Sequence, residues 1–225
     1  MLQPLTFSKI GAFDLAEVVF AGYGVVAPAT DAYEEYDSFV HLDVTDKWVL
    51  VFRFLPEGID AKHRQHLYRY ASLRYKAMVA RDRGARGLVI VSGPNTKVKD
   101  QLVKLSFDAS LAGTSIAALS ITDVLAQEWL GQAGKSLKDL QTALDTGQPM
   151  AGFPITSLGI GAAIDIQQEK RNGRNVLARL SASSDTPAPG MVVVGAHIDH
   201  LGNGAGNGSL AREEEKGQIH YGADD

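Results

Sequence analysis

A histidine and a carboxylate two residues apart, His197 and Asp199, stand just after a short apolar run, Met191–Val194. The run is mostly valine and is bounded by Gly190 and Gly195, the pattern of a buried strand of a parallel sheet. Ligands of open α/β sheets bind outside the carboxyl ends of such strands. Imidazole is a common zinc ligand, and a nearby carboxylate often fixes its ring orientation. His-x-Asp arises easily by chance, and its plainer reading is a surface histidine paired with a carboxylate. Gly222-Ala223-Asp224-Asp225 adds two adjacent carboxylates in a tight turn, which alone would read as a turn or a helix cap. Nitrogen from His197 with oxygen from Asp225 suits a hydrolytic zinc site.

VVVGAHIDHLG followed by YGADD resembles the co-catalytic two-zinc aminopeptidases, relatives of glutamate carboxypeptidase II. The resemblance implies that His197 is a zinc ligand, that Asp199 is the catalytic carboxylate orienting it, and that Asp225 bridges two zinc ions. The family continues into Asn-Ala-Ser-Gly, a helix, a Glu-Glu pair, and a later Asp and His ligand. The sequence given stops at Asp225, so the resemblance implies only part of a site, with weak zinc binding or none. Glu213-Glu214-Glu215 precedes GADD instead of following it and reads as a solvated charge run. Gly202–Gly208 does not fit a phosphate-binding glycine loop and reads as a flexible cleft rim.

The elements that would position these residues follow from the rest of the chain. With 225 residues, 45% hydrophobic and 21% charged, the composition is that of an ordinary globular protein. A net charge of −4 argues against a general nucleic-acid binder. The absence of cysteine excludes disulfides and thiolate metal sites. No apolar stretch approaches the roughly 18 residues of a membrane span, and the start lacks the basic and apolar regions of a signal peptide. Localisation is not readable from these features; the family resemblance implies export.

Glu17–Gly24 reads as a strand ending in a Gly-rich turn, and Lys47–Phe54 as a second strand. Ala61–Arg83 has helical spacing, with Leu67, Ala71, Tyr75, Met78 and Val79 on its apolar stripe. Its basic residues, Lys76 among them, read as a solvated face, and His63 and His66 as surface residues. Leu88–Val91 and Ser115–Ile121 return to strand. Thr122 and Ser136 are the expected N-caps of helices Asp123–Leu130 and Leu137–Leu144. Gly147, Pro149, Gly152 and Pro154 mark the expected domain boundary. Beyond it, Ala162–Gln168 and Asn175–Leu180 read as a strand pair around Asn172-Gly173, leading to the Met191 strand.

EVVFAGYGVVAP, KWVLVFRF and KAMVARDRGARGLVIVSGP resemble, in order, the protease-associated domain that often precedes this peptidase core. The fold expected is thus α/β (α+β). Residues 1–148 form a β-rich protease-associated domain with flanking helices, and 149–225 the first strands of a truncated zinc-peptidase sheet. The resemblance implies a metallo-aminopeptidase removing N-terminal residues from peptide substrates, with residues 1–225 alone inactive for lack of a glutamate base. The competing reading is a non-catalytic interaction or substrate-gating module. An incomplete sheet over Ala162–Val194 would leave an edge prone to self-association.

Overall fold

A computed structural model describes residues 1–98, 100–105, 115–167, 174–183, 190–197, 202–204, 212–215 and 217–219. The described residues fall into two compact units, Met1–Gln167 and Gln168–Asp225.

Met1–Gln167 is built on a six-stranded mixed sheet. Its strands are β1 (Leu2–Pro4), β2 (Gly11–Phe20), β5 (Trp48–Phe52), β6 (Gly87–Val91), β7 (Ala117–Ile121) and β8 (Phe153–Ile164), in the order β1-β7-β6-β5-β2-β8. A separate small ribbon pairs β3 (Val26–Ala27) with β4 (Tyr36–Asp37). β2, β5, β6 and β7 run parallel, while β1 and β8 are antiparallel edges.

The central strands are nearly continuous apolar runs because both faces of the sheet are covered. Successive side chains alternate between faces. Val18, Phe20, Trp48, Leu50, Phe52, Val89 and Val91 enter one core, and Val19, Val49, Val51, Leu88 and Ile90 enter the other. The first core is covered by α1 (Ala61–Tyr68), α3 (Asp123–Gln132) and α4 (Leu137–Leu144), through Leu67, Ala126, Leu130, Leu140 and Leu144. The second is covered by α2 (Leu73–Asp82), through Ala77, Val79 and Ala80. The two edge strands β1 and β8 border one groove of about 430 Å³, which Trp129 of α3 also lines.

The helical stretch expected over Ala61–Arg83 is two helices. Ser72 interrupts it by taking an extended conformation and accepting the Tyr75 N–H, which caps α2. Ser136 caps α4 by accepting the Asp139 N–H. Thr122 occupies the N-cap of α3 without a side-chain capping bond.

The Gly/Pro cluster at 147–154 connects α4 to β8 within the first unit's sheet. β8 pairs along β2 from Gly11↔Ile164 to Phe20↔Phe153, with Ser157 at φ 65 where the register shifts. Ala162–Ile164 therefore pairs with Gly11–Phe13 and not with Asn175–Leu180, since the long β2 offers an open edge.

In Gln168–Asp225, Glu213–Glu215 forms a 3₁₀ turn, and the Gly217 N–H donates to Asn203 O. Asn175–Leu180 and Met191–Val194 lie in no strand, and the expected turn at Asn172-Gly173 is outside the described residues. Met191, Val192, Val193 and Val194 are each more than four-fifths exposed, which corrects the expected buried strand. A strand is held by its ladder partners, and no described residue pairs with this run.

Candidate functional site

The parallel strands send their carboxyl ends to one side of the sheet, and the loops there are tied by buried and half-buried polar groups. After β2 the chain turns through Gly22 (φ 51) and Gly24 (φ 62). A Cβ on Gly24 would stand 2.8 Å from Val51 Cγ1, so this turn needs glycine for both its conformation and its close approach. Tyr23, between the two glycines, is fully buried, and its hydroxyl donates to Asp145 Oδ1 at 2.5 Å. The same oxygen accepts the Glu57 N–H, and Asp145 Oδ2 accepts Asn95 Nδ2–H. Gln141 Oε1 accepts the Asn95 N–H. Asp145, just past α4, thus joins the loops that follow β2, β5 and β6. Burial, with the Asp145 carboxylate beside it, pushes the Tyr23 phenol well above its usual range.

A second brace comes from α2. Lys76 is fully buried, and its Nζ donates to Phe52 O, Arg53 O and Phe54 O at 2.8, 3.1 and 2.8 Å. An ammonium has three donors, so every one of them is used. Burial lowers this ammonium to about 7, while the carbonyls favour its charged form. Asp123, the first residue of α3, accepts the Gly93 and Asp100 N–H groups on its two oxygens. These groups tie the loops to one another and so fix their conformation.

Sequence reading missed them for identifiable reasons. Lys76 was placed on a solvated face, yet it lies three and four residues before the buried Val79 and Ala80, which is the signal that sets it inward. Met78, placed on the apolar stripe, is 38% exposed. His63 and His66 are half-buried, and both stack on Tyr33, with centroids 4.5 and 5.7 Å away.

Of the residues expected to form the metal site, His197 is exposed in an irregular segment. Asp199 and Asp225 lie outside the described residues. No group of three or more His, Cys, Asp or Glu among the described residues is placed to hold a metal ion. A catalytic zinc takes three protein ligands, so the described residues, with one imidazole from this motif, do not make a zinc site. Among the described residues no helix is long and apolar enough to cross a membrane.

No protein-family profile matches the chain, and no curated protein matches it. Among solved structures, an aminopeptidase from Aneurinibacillus sp. strain AM-1 is similar at 24% identity and a TM-score of 0.33. The likeness covers 60% of this chain and 26% of that one, so the chain spans about a quarter of that protein's length. A likeness of this size carries no argument for fold or activity.

Proposed function

We propose that the chain is the protease-associated portion, with the start of the peptidase domain, of a zinc-dependent aminopeptidase. The observation that carries this reading is the order of motifs in one chain: FAGYG, KWVLVFRF and RGARGLVIV, then AHIDH and GADD. The fold is compatible with it, because the first three segments occupy the β2 turn, β5 and β6, which are neighbours in one sheet. In this reading His197 and Asp225 would hold zinc, Asp199 would orient His197, and the metal would supply Lewis acidity and an acidified water. Met1–Gln167 limits which peptides reach the site. The exposed apolar run Met191–Val194 would be covered by further peptidase strands, or by a second copy.

The alternative, a non-catalytic binding module, draws on the two-sided core of Met1–Gln167, which buries the central strands of its own sheet. Reading the coding sequence past Asp225 separates the two. Continuation into Asn-Ala-Ser-Gly and a Glu-Glu pair supports the peptidase, and a stop codon supports the module. For the extended protein, release of an amino-acid anilide should be abolished by EDTA and by His197→Ala. Residues 1–225 alone should show no turnover with added zinc. Undiminished turnover by the His197→Ala protein would overturn the site assignment.

A further inference from the structure

We propose that the groove between β1 and β8 takes up an extended peptide as an added strand, antiparallel to β8 and with positive charge at its leading end. Every residue of Gly159–Asp165 lines this groove of about 430 Å³. Side chains of a strand alternate between faces, so a groove over one face would meet only every second residue. The unbroken lining places the groove along the backbone edge of β8 instead. Gly159, Gly161, Ala162 and Ala163 leave that edge bare of large side chains. β8 ends the strand order, and among the described residues no strand pairs with its outer edge. Gly159–Asp165 also lacks the lysine, arginine and proline that blunt natural edges.

The far wall presents backbone as well. The Thr122 N–H donates to Met1 O and the Leu5 N–H to Ala118 O, so the odd-numbered residues of β1 turn toward β7. Leu2 and Pro4, the β1 residues that line the groove, therefore turn their backbone groups away from β7. β1 is antiparallel to β7 and β8 to β2, while β2 and β7 run the same way. The two walls thus share one direction. A strand between them is antiparallel to both walls at once, and antiparallel is the more stable pairing. Leu119 and Trp129 add apolar lining for alternate side chains of that strand. Main-chain bonds then give affinity and the alternate side chains give selectivity.

Direction and charge together select the occupant. A strand antiparallel to β8 begins beside Asp165 and ends near Gly159. Asp165 is the one charged residue among the lining residues, and it is exposed. Its Oδ2 accepts a long bond of 3.4 Å from Gln167 Nε2, and it forms no ion pair among the described residues. A peptide whose first residue carries an ammonium complements this carboxylate, and an acidic leading end is repelled by it. The groove uses no residue of the zinc motif, so it stands or falls apart from the peptidase reading.

The test titrates the full chain at neutral pH with the strand-forming tetrapeptide Val-Thr-Val-Thr amide, its amino terminus free. A saturable change in tryptophan fluorescence, reporting on Trp129, is expected at a Kd of about 1 mM. At about ten times that concentration, hydrogen exchange of alternate amides within Gly159–Asp165 should slow about tenfold. The same peptide methylated at every amide nitrogen keeps its charge and side chains but loses its donors, and should not bind. Acetylating the amino terminus should weaken binding about threefold, and Asp165→Asn should remove that difference. No saturation up to about 20 mM, equal binding of the methylated peptide, or binding without slowed exchange in β8 would overturn the proposal. An acetylation effect that survives Asp165→Asn would overturn the assigned direction. Slowed exchange that grows with protein concentration in the absence of peptide would give the edge to a second copy of the chain and overturn the peptide.

Discussion

The Tyr23 hydroxyl meets Asp145 Oδ1 at 2.5 Å across 122 positions of sequence, joining the turn after β2 to the end of α4. Asp145 also accepts from Glu57 and Asn95, so one carboxylate closes several loops at once. Asp145→Ala should lower the stability of Met1–Gln167 by roughly 2 kcal/mol, because it strands these donors, and Tyr23→Phe by about 1 kcal/mol. The double variant should cost less than the sum, by about 1 kcal/mol, since both changes break one bond. Urea unfolding followed by tryptophan fluorescence measures this cleanly, because Trp48 and Trp129 both lie in the first unit. Strict additivity would show that the contact is not coupled.

Lys76 makes the stability of the same unit depend on pH. Its ammonium is held near 7 in the folded chain, against 10.5 for an unperturbed lysine. Between those values the unfolded chain binds more protons than the folded one, so stability rises with pH, by at most about 1.4 kcal/mol per unit. The Phe52, Arg53 and Phe54 carbonyls hold the proton, so the rise begins at or above pH 7. Lys76→Met should flatten this rise while lowering stability at neutral pH, because it leaves three carbonyls without a donor. Urea midpoints for both proteins from pH 6 to 9.5 decide it. Parallel curves would show that Lys76 is not the group responsible.

The central strands were legible because their signal is local. KWVLVFRF and GLVIV are apolar runs that both faces of a covered sheet require, and their flanking glycines and prolines mark the ends. β8 was not legible at Phe153, because Pro154 closes the Gly/Pro cluster that reads as a domain boundary; on an edge strand a proline is tolerated. Met191–Val194 has the composition of a strand but no described ladder partner, and composition cannot supply one. The Asp145 hub was invisible for a different reason. Its donors, Tyr23, Glu57 and Asn95, are scattered along the chain, and only the parallel topology brings their loops together. The resemblance placed His197, Asp199 and Asp225 in one site. Of these only His197 is among the described residues.

Gly24 should not tolerate a side chain. Its φ of 62 is costly for any other residue, and a Cβ would approach Val51 Cγ1 to 2.8 Å within the buried sheet. Gly24→Ala combines backbone strain with overpacking and should cost about 2–3 kcal/mol. Pairing it with Val51→Ala removes the 2.8 Å contact with Cγ1, though Cβ of residue 51 stays 3.1 Å away and the strain remains, so the extra loss from Val51→Ala in that background should be smaller than in the parent. Urea midpoints of the four proteins give the comparison. Full additivity would mean that backbone strain alone accounts for the effect.

The placement of β8 sets where the first unit can be divided. Ile155, Ile160 and Ile164 are buried in the core shared with α3 and α4, and their strand pairs along most of β2. A polypeptide of residues 1–167 should therefore unfold cooperatively with the fluorescence midpoint of the full chain. One ending at residue 148 loses those three side chains, at about 1.5–3 kcal/mol each, and the sum rivals the roughly 5–15 kcal/mol that holds a domain together. It should be unfolded or aggregated, with Trp48 exposed to quenching by iodide. Protease should also spare Gly147–Pro154 until the unit itself opens. A stable, cooperative 1–148 protein would mean that β8 is an accessory edge and that the break in the fold lies at the Gly/Pro cluster after all.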